Sequence, residues 1–410
     1  RTMNKKIVVI GGGAAGMMAA LSAAEQGAQV TLLEPNERLG KKLNITGKGR
    51  CNVTNNTDIE GLLANIPRNG KFLYSAFSRF DGRDAMTFFE GLGVPLKVER
   101  GGRVFPVSDR SFDITAALER ELKRLHVKLV RDRALGVSVE DGHVAAVKGE
   151  KGDYTASAVI LATGGLSYPA TGSTGDGFRM AEALGHTVTP LRGSLVPLDA
   201  RECAVLQGLG LRNVPLKVYE NNKKIHSDFG EMLFTHFGVS GPLVLSASAY
   251  VKKSTYRLEI DLKPALDDKK LDARLLRDFS EQHTKQISTV MRGLLPQAMV
   301  EPVLDKAGVA IDTKISEITK VQRAAIVNAL KHFDLTVTGL RPIEEAIITD
   351  GGVSLKGIDP KTMGSKLIDG LYFAGEIIDC AAYTGGYNLQ IAFSTAHSAA
   401  AAVSRFRFRL

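Results

Sequence analysis

The chain has 410 residues, 44% hydrophobic and 24% charged, with a formal net charge of +9. This is ordinary composition for a globular protein of two or three domains, and no apolar run approaches the ~18 residues of a membrane span. The three cysteines, Cys51, Cys203 and Cys380, form no CxxC or CxxxxC pair and no metal-ligand spacing, which excludes a dithiol redox centre and suits a reducing cytoplasm.

In chain order, the apolar run Ile7 to Ile10 predicts a buried strand, and glycines follow it where a secretory leader would carry a cleavage site. A native start is expected at Met3, after Arg1 and Thr2. The turn Gly11-Gly12-Gly13-Ala14-Ala15-Gly16 leads into an alanine-rich helix, and a second strand, Gln29 to Glu34, ends on an acid eighteen residues after Gly16. Strand, glycine turn, helix and acid in that order make a complete dinucleotide fingerprint, unlike a chance GxGxxG in a chain with 42 glycines. Gly11 permits the tight turn, Gly13 lets backbone approach a pyrophosphate, and Gly16 lets helix and strand pack closely. Ala14 and Ala15 present free helix N–H groups. Glu34 is placed to accept hydrogen bonds from an adenosine ribose.

Arg38 to Asn55 reads as a polar, glycine-bearing loop, and Asp84 to Leu92 and Asp113 to Leu125 show helical spacing. Short β-rich runs from Val127 to Val159 are broken by the hairpin signal Asp141-Gly142. A small antiparallel insert therefore precedes the return strand Ala158 to Leu161. That strand runs into Thr163, Gly164 and Gly165, a second glycine turn at a strand C-terminus, where ligands of parallel sheets bind. Strand-and-turn patterning fills Leu195 to Leu262, including Leu216 to Tyr219, the turn Asn221-Asn222 and alternation over Leu258 to Leu262. Helical spacing takes over from Asp267 to His332, punctuated by Pro296 and Gly308. Strand and loop return at Ala346 to Ile348, Gly351-Gly352 and Leu371 to Ala374, and Gly385-Gly386-Tyr387-Asn388 opens a long, buried C-terminal helix.

The fingerprint alone suits NAD or FAD, since both carry an ADP half. Strand-to-glycine turns recurring at Gly164, Gly351 and Gly375 favour FAD, a long extended cofactor gripped by distant segments. The basic residues Lys41, Lys42, Lys48 and Arg50 lie close to the nucleotide motif, so the positive charge is read as phosphate attraction before a polynucleotide surface.

The run Thr46-Gly47-Lys48-Gly49-Arg50-Cys51-Asn52-Val53-Thr54-Asn55 resembles the GGGRCNxTN signature of the BaiN/YhiN-like flavoproteins, a family that includes bacterial aminoacetone oxidases. Ala162 to Gly177, Leu233 to Pro242 and Leu371 to Asn388 agree with it, and Lys48 departs from it where many members have glycine. The resemblance implies an α/β fold with a glutathione-reductase-type FAD domain in two pieces, residues 3–192 and 336–410. Between them it places a β-barrel-like domain at 193–265 and a small helical domain at 266–335. It also implies that Gly11 to Ala15 hold the pyrophosphate and Glu34 the ribose, with Lys41, Arg50, Cys51 and Asn52 on the flavin side. Thr163, Gly164 and Gly375 are expected to bring backbone to the cofactor, and Glu376 and Asp379 to bond ribityl hydroxyls. Gly386, Tyr387, Asn388 and Leu389 are expected to aim a helix N-terminus at the flavin.

His236, in the β domain expected to roof the flavin, Tyr168 and Tyr387 are the candidates for proton transfer. His236 reads equally well as a histidine bonded within a turn and Tyr168 as a packed ring, while Cys51 reads as a small core residue before a nucleophile or a covalent flavin link. No Ser/His/Asp set, HExxH or acidic metal cluster is visible, so no metal is expected. The chemistry implied is hydride transfer through flavin N5 on a small organic molecule, with NAD(P)H as transient donor. The alternatives are an amine oxidase using oxygen, a flavoprotein binding RNA or transfer RNA, and a flavin binder without turnover.

Overall fold

The computed structural model describes residues 5–252 and 255–405, so the expected start at Met3 lies outside them. It divides into two compact units, Arg1–Ser194 with Ile343–Leu410, and Leu195–Pro342. Each has its own apolar core. Among the described residues no helix is long and apolar enough to cross a membrane.

The first unit is built on five parallel strands in the order Leu371–Phe373, Ala158–Leu161, Lys6–Ile10, Gln29–Leu33, Lys128–Val130. Ile7 to Ile10 and the whole of Ala158–Leu161 are buried, as expected of parallel strands covered on both faces. The chain leaves Lys6–Ile10 to pair on one side with Gln29–Leu33 and returns on the other side as Ala158–Leu161. A topological switch point therefore opens where Gly11 and Gly164 emerge. The helix Ala14–Glu25 is buried from Ala15 to Ala23 and lies against the C-terminal helix Tyr387–Arg405. Covered all round, it is apolar all round, with no amphipathic stripe. A Cβ on Gly16 would stand 1.6 Å from the Gly11 carbonyl oxygen, so only glycine lets this helix seat at the strand end.

Around this core sit two small antiparallel sheets. Ala134–Glu140, His143–Gly149 and Asp153–Thr155 form one, turned at Asp141 (φ +49°) and Gly142 (φ +79°); two left-handed residues are what a tight hairpin turn requires. Thr54–Asn55, Arg103–Pro106 and Leu96–Val98 form the other. It anchors the end of the loop Arg38 to Asn55. That loop contains a run of left-handed residues, Gly47, Lys48, Gly49 and Cys51. Lys48 has φ +59°, a conformation that costs a non-glycine residue ~1 kcal/mol. The glycine common at this position in related signatures answers that strain.

The second unit is a closed barrel of six strands, Leu198–Ala200, Gly238–Ser240, Lys223–Phe234, Gly210–Glu220, Tyr256–Ile260 and Phe333–Leu340, the last pairing back with the first. Asn221 (φ +48°) and Asn222 (φ +63°) turn its longest hairpin. Asparagine is among the few residues that tolerate this geometry. The helices Asp268–Glu281, Ile287–Met291, Gln297–Ala307 and Lys320–Lys331 follow. The structure differs here from the boundaries at 265/266 and 335/336. Leu271 and Leu275 of the helices share one core with Leu258 and Ile260 of the barrel, and the barrel closes only through Phe333–Leu340. Helices and barrel are thus one unit running to Pro342, because the closing strand comes after the helices.

Candidate functional site

A cleft of about 1380 Å³, counted out to open solvent, runs along the carboxyl ends of the parallel strands in the first unit. Its walls come from both pieces of that unit: Gly11 to Ala15, Glu34 to Asn36, Lys41 to Leu43, Asp132 to Ala134, Thr163 and Gly164 from the N-terminal piece, and Ile347, Glu376, Asn388 and Leu389 from the C-terminal one. Eleven of the expected cofactor residues therefore meet there: Gly11, Gly13, Ala14, Ala15, Glu34, Lys41, Thr163, Gly164, Glu376, Asn388 and Leu389.

The turn at Gly13 is shaped for a phosphate. Gly13 caps the helix Ala14–Glu25 without any side-chain bond to the first-turn N–H groups. A Cβ there would meet no protein atom within 4 Å. Free donors and vacant space at a helix N-terminus are the conditions for holding a pyrophosphate. The carboxylate of Glu34 is fixed by N–H groups of Gly12 (2.8 Å to Oε2) and Asn36 (2.8 Å to Oε1), which orients its remaining lone pairs. Thr163 Oγ1 is buried without a hydrogen-bond partner among the described residues. These residues fit the ADP half of FAD.

Beyond the phosphate turn, the cleft wall carries an ion pair. Lys42 Nζ donates to Glu376 Oε2 at 2.7 Å and to Ser167 Oγ at 2.8 Å, and Glu376 Oε1 accepts the Thr349 N–H at 2.8 Å. Lys42 was prominent in sequence only as part of a basic run. Ser167 lies inside one of the family-like blocks, whereas Thr349 had no sequence signal.

Several expected residues stand elsewhere. Arg50 is not part of the cleft wall. It is bound by Glu99 and by Asp109 (2.8 Å) and lies over the Phe105 ring at 4.0 Å. The guanidinium is held above its usual value by Glu99 and then Asp109, carboxylates that it shares with Lys97. Cys51 is fully buried, its thiol pushed up to about 12 by desolvation. Asn52 accepts the Val104 N–H through Oδ1 (3.2 Å) and so ties its loop to a strand. These three shape the loop from outside the cleft.

At the other end, Gly375 (φ +80°) and Gly386 (φ +95°) serve close approach: a Cβ on Gly375 would stand 2.6 Å from Ala15 Cβ, and one on Gly386 2.3 Å from the Thr54 carbonyl. Asp379 is outside the cleft wall, accepting from Arg68 at 2.9 Å, and its carboxyl is raised chiefly by burial. Asn388 folds its side chain back on Ala382, accepting its N–H at 2.8 Å and donating to its carbonyl at 2.9 Å. This closes the turn that starts the C-terminal helix.

None of the three proton-transfer candidates belongs to the cleft wall. Tyr168 is held at φ +53° with its ring centre 5.9 Å from Lys42 Nζ, and burial raises its hydroxyl. Tyr387 is half-buried, and desolvation raises its hydroxyl as well. His236 is exposed in the second unit, between Lys223–Phe234 and Gly238–Ser240, edge-on to Phe237 at 5.1 Å.

Residues 5–402 match the family described as HI0933-like protein Rossmann domain. The chain is 31% identical over 412 residues to the 3-dehydro-bile acid delta(4,6)-reductase of Clostridium scindens, spanning 97% of this chain and 99% of that protein. It is 32% identical over 404 residues to the ribosomal RNA dihydrouridine synthase of Haemophilus influenzae, spanning 97% and 98%. Among solved structures, a 3-ketosteroid-delta4-(5alpha)-dehydrogenase from Rhodococcus jostii shares the fold at a TM-score of 0.56 and 15% identity, with 98% of each chain covered.

Proposed function

The chain belongs to the HI0933-like Rossmann family of flavoprotein oxidoreductases, and on that premise we propose that it reduces a carbon–carbon double bond in a small organic molecule with electrons from NAD(P)H. Both curated relatives named above are, by their names, proteins that saturate such a bond, one in a bile acid and one in a uridine. The observation that carries the reading is the continuous cleft joining Gly13 and Glu34 to Glu376 and Leu389.

FAD bound there would supply hydride exchange at its N5. The N–H groups of Ala14 and Ala15 would hold the pyrophosphate, and Glu34 the ribose. Asn388 and Leu389 lie in the first turn of a helix of 19 residues, Tyr387–Arg405, whose N-terminal potential favours negative charge by up to ~2 kcal/mol where partly buried. No second strand–GxGxxG–helix unit follows Gly16 in the sequence, so NAD(P)H is read as a transient visitor to the substrate side.

Anaerobic stopped-flow mixing of the FAD-loaded protein with NADPH and NADH tests this. Rapid bleaching of the flavin band is the expected result. Bleaching by aminoacetone alone would overturn it in favour of an oxidase.

A second reading, a reductase of uridine in ribosomal RNA, draws on the name of the Haemophilus relative and on the +9 charge. It requires RNA binding at ~150 mM salt tighter than the ~10⁻⁴ to 10⁻⁶ M non-specific range. A gel shift no tighter than that removes it.

A further inference from the structure

The reduced form of a flavin is anionic near neutral pH, and a preorganised cation beside it stabilises that charge. Arg50, the arginine expected near the flavin, is committed to Glu99 and Asp109. Lys42 is differently placed. It lines the cleft, and its ammonium has three donors, of which one goes to Glu376 Oε2 and one to Ser167 Oγ. The third meets no acceptor among the described residues.

Its two partners are themselves fixed. Glu376 Oε1 takes the Thr349 N–H, and Thr349 Oγ1 accepts the N–H groups of Leu166 (2.7 Å) and Ser167 (3.1 Å). Ser167 Oγ lies 3.2 Å from both Glu376 Oε1 and the Ile347 carbonyl. The ammonium is therefore held on a rigid frame instead of swinging on a free four-carbon stem. Glu376 and Thr349 belong to the C-terminal piece of the unit, which also supplies Leu389 and Ile391 to the cleft. On the FAD reading, the adenosine side would be made by Glu34, Asn36 and Arg133, which line the same cleft.

We propose that Lys42 is a cofactor-facing cation that donates its unspent N–H to the flavin half of the bound cofactor and stabilises the reduced, anionic form, with Glu376 and Ser167 as its positioning residues. This rests on the FAD reading of the cleft.

The test is the midpoint potential of the FAD-loaded protein, read by spectroelectrochemistry, with affinities for FAD and for ADP measured alongside. In Lys42→Met and Lys42→Gln, ADP affinity stays close to wild type, while FAD affinity falls through the hydrogen bond lost to its flavin half. The preference for reduced over oxidised cofactor falls about tenfold, which for a two-electron couple lowers the potential by about 30 mV. Lys42→Arg keeps the charge and recovers most of that shift.

An unchanged potential in the Met and Gln variants overturns the proposal. So does loss of ADP affinity in both, which would make Lys42 a phosphate ligand. Failure of the wild-type protein to turn yellow with FAD would instead remove the underlying cofactor reading.

Discussion

Gly13 and Gly16 lie three residues apart in one turn, yet alanine at each should do opposite things. Gly13 has φ −82° and ψ −166°, extended backbone that any residue adopts, and a Cβ there meets nothing within 4 Å. Alanine caps a helix somewhat less well than glycine, at a cost of ~0.5–1 kcal/mol, while stiffening the unfolded chain returns ~0.4–1 kcal/mol. The apoprotein should therefore melt within about 2 °C of wild type, since ~1 kcal/mol moves a unit of this size by ~2–4 °C. Its methyl group would instead occupy the space proposed for the pyrophosphate. Losing one charge-assisted hydrogen bond costs ~1.5–3 kcal/mol, roughly ten- to 150-fold in affinity.

At FAD equal to 100 times the wild-type Kd, ligand binding adds ~2.7 kcal/mol to wild type but only ~0.4 kcal/mol to a variant weakened a hundredfold. The FAD-induced rise in Tm should shrink from about 5–10 °C to about 1 °C. Gly16→Ala should behave in reverse. Its Cβ would overlap a backbone carbonyl oxygen at 1.6 Å, so the apoprotein loses ~3 kcal/mol or more and melts many degrees lower before any cofactor is added. Thermal melts of both variants with and without FAD separate the two effects. A Gly13→Ala apoprotein as unstable as Gly16→Ala, or one keeping the full FAD-induced shift, would refute the assignment of Gly13 to the phosphate.

The remaining predictions concern the surrounding residues. Arg50→Met should leave FAD affinity within about threefold of wild type, since Arg50 does not line the cleft; a loss of tenfold or more in a titration would return Arg50 to the phosphates. The thiols of Cys51, Cys203 and Cys380 are all buried and raised to about 12, chiefly by desolvation. A thiol reagent at pH 8 should thus find none in the native protein and three after denaturation, and one fast native thiol would contradict the buried placement. His186 and His397 are lowered from 6.5, chiefly by desolvation. Because the unfolded chain takes up those protons first, stability is complete above about pH 6.5 and falls as pH drops toward the lower folded-state values. The double variant His186→Gln, His397→Gln should flatten the decline in Tm between pH 6.5 and 5; a decline as steep as wild type would show that other groups drive it.

Features ruled by short-range sterics were legible in the chain. The turns Asp141-Gly142 and Asn221-Asn222 adopt the left-handed geometry their residue types favour. Gly11, Gly13 and Gly16 occupy the three places the fingerprint assigns them. The order of strand-rich and helical segments was legible too, because the period of apolar residues is a local property.

Which charge faces the cleft was not legible. Arg50 and Lys42 look alike in a basic run, but one meets Glu99, 49 residues away, and the other Glu376, 334 residues away. Partners that distant leave no trace in local spacing, yet they decide which cation lines the cleft: Lys42, held by Glu376, does, and Arg50 does not. The barrel shows the same division. Phe333–Leu340 falls across the expected 335/336 boundary, where no strand is expected; its place in the barrel follows from pairing with Leu198–Ala200 and Tyr256–Ile260. Backbone conformation is settled by neighbours in sequence, through sterics. The partners of charges and strand edges are settled by neighbours in space, and those exist only once the chain has folded.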